Sequence, residues 1–224
     1  MTGLEYFYSA HSGYAYLGST RFMEIARAAN HPIVHRPMDL RRVVAVTGPG
    51  PTNGLTPERR AYFSGREIAR WAELRAAPVV AGAPSHHDNE IALSNGMLIA
   101  GLLQGVNIDQ LAHCQLQGHW RNDADLANGP TPARLGAQAG INPTPLLSAA
   151  RLGAFQAVYE QNTEEAVQPL YSACPLILSM VICFTGRATW KWRNGPWRGC
   201  SPGFGRPAKN SNLNGGNKNG FDYN

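Results

Sequence analysis

Leu4-Glu5-Tyr6-Phe7-Tyr8-Ser9-Ala10-His11-Ser12-Gly13-Tyr14-Ala15-Tyr16-Leu17 changes its periodicity part-way along. The first six residues are short and rich in aromatics, as a strand requires, and a helical pattern begins after Ser12. Tyr14, Leu17, Phe22, Ile25 and Ala26 recur at roughly helical spacing over residues 14–30, and Asn30 followed by Pro32 is a stop signal. Pro32-Ile33-Val34-His35-Arg36-Pro37-Met38 predicts a second strand, with Pro37 near its end or on a sheet edge. Strand, helix and strand in this order imply a crossover between two parallel strands.

Beyond the loop Gly48-Pro49-Gly50-Pro51-Thr52-Asn53-Gly54 the pattern is helical as far as Ala166. Helices are predicted over 56–75, 88–103, 108–120, 131–139 and 145–166, the last broken at Gly153. Thr56 is the expected N-cap of the first, with Pro57 at its first position, and Thr163-Glu164-Glu165 is expected to cap a further short helix. Strand signals are absent from this block, so the sheet begun by the two strands is left unfinished.

A chain of 224 residues is long enough to bury roughly 70% of its unfolded surface. With 43% hydrophobic and 16% charged residues it is too apolar for a disordered chain, and its mean hydropathy of -0.28 is too low for a polytopic membrane protein. The longest apolar run, 176–184, falls short of a membrane span and the N-terminus lacks a signal-peptide pattern, so the expected location is the cytoplasm. Cys114, Cys174, Cys183 and Cys200 form no C-x-x-C pair and no zinc spacing. Neither a redox dithiol nor a structural metal is therefore indicated.

The formal charge of +5 conceals a break in the chain. Residues 1–168 hold 13 Arg, no Lys and 14 acids, a net of -1, whereas residues 169–224 hold 4 Arg, 3 Lys and only Asp222, a net of +6. The tail also carries three of the five Trp, three of the four Cys and an Asn/Gly run over 210–220. Two readings compete: a genuine basic appendage that binds polyanions, or a stretch translated in the wrong frame. Shifting the frame from Leu170 onward permits V-F-G-V-P-T-Y-I-V-N-G-D-M-F-Y-G-Q-G-H-L-E-M and later E-R-A-L-E-R-V-F-A-G-L-W. This encodes two β-rich runs joined by an N-G-D turn and then an amphipathic helix, which are the elements the unfinished sheet lacks.

The chemistry is expected at the first strand-to-helix turn. Backbone N–H groups and the positive end of the helix dipole converge near Ser12, where an anion is favoured. A hydroxyl there can donate to a thiolate and lower a thiol pKa, and it can equally serve only as the helix cap. Ala10-His11-Ser12-Gly13-Tyr14 also approximates a serine-hydrolase nucleophile elbow with Ala for the first Gly. That reading needs a downstream acid and then a histidine on a larger sheet, but the last histidine is His119 and helices occupy the space.

The chain resembles the glutathione-dependent 2-hydroxychromene-2-carboxylate isomerases and the related kappa-class glutathione transferases, within the DsbA-like thioredoxin superfamily. The resemblance rests on Tyr6-Phe7-Tyr8, Ser12 and Tyr14-Ala15-Tyr16-Leu17, where the family reads F-Y-x-D-x-x-S-P-Y-x-Y-L. It extends to Arg36-Pro37-Met38-Asp39-Leu40, to Asn53, and to Arg59-Arg60-Ala61-Tyr62. In the shifted frame, F-G-V-P-T resembles the family's cis-proline segment and G-Q-x-x-L its C-terminal motif.

The resemblance implies an α/β thioredoxin-like fold of the DsbA/kappa type interrupted by an all-helical insertion. Residues 1–55 would form the N-terminal part of the thioredoxin-like domain, 56–153 the insertion, 154–168 a return helix, and 169–224 the aberrant tail. It also implies a homodimer with glutathione as cofactor and a small aromatic substrate, without nucleic acid or membrane. Ser12 would then stabilise the glutathione thiolate, and Asn53 and Arg59 would contact the cofactor. Tyr14, Asn53 and Gly54 would face the substrate. The thiolate would add to a conjugated double bond, allow rotation and leave again. A kappa-like transferase and a DsbA-family oxidoreductase are the neighbouring alternatives. Gly13 stands where the family has Pro and Ser9 where it has Asp, which is expected to loosen the turn and removes a charge.

Among the remaining candidates, His86-His87-Asp88 reads as a polar cap ahead of a helix in preference to a metal site. His11 is a candidate base beside Ser12. Tyr16 and Tyr62 read as packing residues, and Trp71 and Trp120 as core on helix faces.

Overall fold

The computed structural model describes residues 4–47 and 56–168, with residues 191–192 and 195–196. Strand β1 (Leu4–Tyr8) pairs in parallel with β2 (Ile33–Pro37), Tyr6 opposite His35 and Phe7 opposite Arg36, and α1 (Gly13–Ala28) forms the crossover between them. The strand-helix-strand start is as expected. The period of two assigns β1 to two cores. Tyr6 and Tyr8 point to the larger one, stacked at 4.3 Å between ring centroids, with Phe22 of α1 beside them. Phe7 points the other way, toward Met38, Val43 and Ala166.

The helices are α2 (Leu40–Thr47), α3 (Pro57–Arg75), α4 (Ala92–Leu103), α5 (Asp109–Asn122), α6 (Pro130–Gln138), α7 (Pro143–Arg151) and α8 (Gln156–Val167). Helices α3, α5 and α6 follow the predicted spans closely, α4 shares its predicted end at Leu103, and the predicted 145–166 helix divides into α7 and α8 around Gly153, whose φ is +72°. Helix α2 was not expected: its consecutive Val43-Val44-Ala45-Val46 shows no helical period, and only Leu40 and Val43 pack against the small core.

Helix α4 is apolar on every side, and residues 94–101 are all buried. A Cβ on Gly96 would lie 2.7 Å from the Phe155 ring, so only glycine admits that close approach.

Three expectations are corrected. Thr163 does not cap a new helix; it lies inside α8, where its hydroxyl donates to the Tyr159 carbonyl at 2.7 Å and accepts from the Asp39 amide at 3.0 Å. The helix expected from Asp88 starts at Ala92, so His86-His87-Asp88 caps nothing. The turn at Gly13 is not loosened. The Ser12 amide donates to the Ser9 carbonyl at 2.9 Å, and a Cβ on Gly13 would stand 2.6 Å from Trp120, whose ring fills the space a larger residue would need.

The expectation about residues 169–224 lies outside the described residues except for one two-residue ribbon. There β3 (Lys191–Trp192) pairs antiparallel with β4 (Gly195–Pro196), in a unit of its own spanning 189–224. Among the described residues no helix is long and apolar enough to cross a membrane.

Candidate functional site

Ser12 is the N-cap of α1. Its backbone is extended, and its Oγ accepts from the Ala15 amide at 3.3 Å. Among the described residues no acceptor takes the hydroxyl proton, so the cap and a donor role are compatible in one side chain. The residue is only 4% exposed. No acidic residue lies in the first turn of α1, so its positive end is not neutralised from within the helix.

A fully buried amide holds this turn in place. Asn95 on α4 accepts from the Ala10 amide at 2.9 Å through Oδ1, and its Nδ2 donates to Ser9 Oγ at 3.0 Å and to the Met38 carbonyl at 3.2 Å. One side chain thus ties the end of β1 to the loop after β2 and to the helical block. Ser9 in turn meets His11 Nδ1 at 2.8 Å. Sequence reading missed Asn95, although a lone Ser94-Asn95 pair inside an apolar helix was a visible signal for a buried polar contact.

Beside the turn lies a group of rings contributed by three parts of the chain. His11 packs against His87 with centroids 5.1 Å apart, and His87 stacks on His119 at 5.3 Å. His87 Nδ1 and His119 Nε2 lie 3.1 Å apart, and His119 Nδ1 meets the Ala124 carbonyl at 3.0 Å. Trp120 borders both His87 and His119, and its Nε1 donates to the His11 carbonyl at 2.8 Å. The 85–89 loop that carries His87 is pinned from several sides. Arg41 donates to the carbonyls of His87 at 2.6 Å and Asn89 at 3.0 Å, Ser85 Oγ donates to Asp123 at 2.6 Å, and Asn89 donates to Asp125 at 3.1 Å.

Burial keeps these imidazoles neutral. It is the main cause that pushes the His11 pKa down to about 3, with His87, Arg41 and His119 adding to it. Burial likewise lowers His87, helped by His119, and lowers His119. His11 therefore does not act as a ready base for Ser12; its ring nitrogen is engaged with Ser9. Among the described residues no group of three or more His, Cys, Asp or Glu side chains has the arrangement of a metal site.

The other expected site residues are more dispersed. Tyr14 reaches α3, donating to Glu67 at 2.6 Å, and burial with this contact raises its pKa. Arg59 lies exposed on the first turn of α3, its amide donating to the N-cap Thr56 at 3.3 Å. Asn53 and Gly54 fall outside the described residues. Trp120 is core as expected, Trp71 is partly buried against the larger cluster, and Tyr16 is buried with its hydroxyl on the Pro78 carbonyl at 2.9 Å. Tyr62 is exposed and receives a hydrogen bond from Arg66. Cys114, on α5, is a free thiol whose pKa is raised by burial.

A parallel strand-helix-strand unit followed by a helical block is the arrangement of one known family, and its model, the DSBA-like thioredoxin domain, matches residues 3–169. The chain belongs to this family. The match stops where the charge and composition of the chain change. Among solved structures, the chain is similar to a 2-hydroxychromene-2-carboxylate isomerase, with a TM-score of 0.57 and 19% identity over 73% of this chain and 78% of that one. It is also similar to a protein from Nitrosomonas europaea assigned as a disulfide isomerase, with a TM-score of 0.54 and 12% identity over 75% of this chain and 78% of that one. Curated proteins compared by sequence yield no match. These likenesses establish the DsbA-like thioredoxin fold of the body, including the expected interruption by helices.

Proposed function

We propose that the polypeptide encoded when the frame after Gln168 is restored is a glutathione-dependent isomerase. It acts on aromatic catabolites resembling 2-hydroxychromene-2-carboxylate. The observation that carries this reading is the buried Ser12 hydroxyl, which caps α1, a helix with no acidic residue in its own first turn, and has no acceptor for its proton among the described residues. Glutathione, when bound, supplies a thiolate able to add reversibly to a conjugated double bond. The chain's task is then to hold and ionise that sulfur: Ser12 donates to it, and the α1 dipole favours its negative charge. Arg59, exposed at the start of α3, suits a carboxylate of the cofactor because its guanidinium fork binds bidentately. Tyr14 is the aromatic side chain of α1 offered to the substrate, and glutathione together with a small aromatic compound are the expected partners of a homodimer.

The oxidoreductase alternative is disfavoured by the residue at the helix end. Thiol–disulfide exchange requires an attacking thiolate, and this position holds a serine. A kappa-like transferase would use the same serine and the same cofactor, so substrate turnover separates it from the isomerase. The cis–trans conversion of the chromene acid consumes no glutathione, whereas a transferase uses one molecule per product.

Calorimetry of glutathione binding to the frame-restored protein tests the reading, with Ser12→Ala alongside. Binding that weakens about tenfold in the variant, with a rise in the bound thiol's pKa, supports it. Equal affinity and equal thiol pKa in the two proteins remove Ser12 from the mechanism. Sequencing the gene across the codons for Gln168 to Leu170 tests the frame, and an uninterrupted open frame there leaves the +6 tail as genuine chain. In that case retention on heparin that falls steeply with salt would mark a polyanion-binding protein.

A further inference from the structure

The hydrogen bonds of the histidine group have a direction that can be deduced. The Ala124 carbonyl can only accept, so His119 carries its proton on Nδ1. Neutral His119 then offers a bare Nε2, and the partner 3.1 Å away, His87 Nδ1, must be the donor. Neutral His87 is left with an unprotonated Nε2. Its ring is the half-buried member of the group, packed between His11, His119 and Trp120. His11 immediately precedes Ser12, and Trp120 lies against Gly13, so this basic nitrogen belongs to a ring bordering the first turn of α1.

We infer that His87 and His119 form a proton-accepting pair, in which His87 Nε2 takes the proton that a thiol loses when its sulfur binds as thiolate at the start of α1. The inference rests on the thiol-binding reading of Ser12 given above. The sulfur–hydrogen bond breaks, the electron pair stays on sulfur, and the proton forms an N–H bond on His87. His87 can keep that charge or pass its Nδ1 proton to His119 Nε2 without breaking the bond between the rings. The pair therefore accommodates one added proton and not two, because a second would place two donors face to face. Asp88 on the same loop and Asp123 and Asp125 after α5 favour the added charge, whereas Arg41 of α2, His86 and His11 oppose it. Without an anion alongside, the balance keeps the pair neutral, and a bound thiolate supplies that anion, as in other thiolate–imidazolium pairs.

Long-range proton–nitrogen correlation spectra of the full chain at neutral pH test the pair without any ligand. Both rings are expected in the Nδ1–H form, and acidification is expected to place a single proton on His87 Nε2 while the Nδ1–H of His119 persists. A second measurement counts protons, by glutathione calorimetry of the frame-restored protein in buffers of differing ionisation enthalpy. The protein is expected to release close to no protons on binding, and His87→Gln about one per glutathione. Ser85→Ala, which loosens the same loop but leaves both rings, is expected to keep the count of the unaltered protein. His87 in the Nε2–H form, or equal proton release with and without its imidazole, overturns the inference alone. Absence of glutathione binding together with the expected tautomers overturns the proposed function and, with it, the thiol as the pair's proton donor.

Discussion

Helices α1 and α3 open with the same device and have different prospects. Ser12 Oγ accepts from the Ala15 amide at 3.3 Å, and Thr56 Oγ1 accepts from the Arg59 amide at the same 3.3 Å. Thr56 is exposed, Pro57 follows it, and Glu58 supplies negative charge within the first turn. Ser12 is buried, no acid follows it, and Asn95, Trp120 and His87 pack against or bond the turn that contains it. A side-chain cap is thus common to the exposed start of α3 and to the end of α1 that we propose receives an anion. The difference lies in what surrounds the cap: water and a carboxylate screen the positive end of α3, whereas that of α1 is buried and has no acid in its own first turn.

The greatest loss is expected from Trp120→Ala, which removes the ring filling the space beside Gly13 and the hydrogen bond to the His11 carbonyl. Urea unfolding should register a loss of about 3–5 kcal/mol. Gly13→Ala alone should also destabilise, by about 1–3 kcal/mol, and cost less in the Trp120→Ala background. Additivity of the two changes would mean that the ring does not set the requirement for glycine.

Acid should act next most strongly, and on the α1 side. His11 has a folded pKa of about 3, below the unfolded value of about 6.5. The unfolded chain therefore binds more protons between these limits. This group's contribution to stability is complete above about pH 6.5 and is lost as pH falls toward 3, at up to about 1.4 kcal/mol per pH unit. Urea midpoints measured at about pH 7.5 and about pH 5 should differ, and His11→Asn should flatten the difference; an unchanged slope would show that His11 does not need to stay neutral.

The two caps themselves give the smallest effects. Ser12→Ala should lower thermal stability by about 1 kcal/mol and weaken glutathione about tenfold. Thr56→Ala should cost about 0.5–1 kcal/mol and leave glutathione affinity alone. If both substitutions weaken glutathione equally, the contrast between the two helix ends is not functional.

Periodicity carried much of the fold. Helical periodicity revealed α1, α3 and the helices from α4 to α8, and short runs of aromatic and β-branched residues revealed both strands. Helix α2 escaped because its Leu40 and Val43 contact a small separate core, and Thr163 was misread because a hydroxyl inside a helix resembles a cap until its partners are known. Asn95 and Trp120 were invisible as site residues for a related reason: each reaches the Ser12 turn from far along the chain, and spacing within one helix cannot report that distance.

The amino-acid order alone settled the strand-helix-strand opening, the hydroxyl at the start of α1 and the compositional break at residue 169, since all three are local properties of neighbouring residues. Folding in three dimensions settled which polar groups face one another. The protonation order of His87 and His119 follows from a carbonyl at Ala124, and the glycine at position 13 from an indole more than a hundred residues away. Hydrogen bonds and steric contacts act through space, so their consequences emerge only when distant segments are brought together.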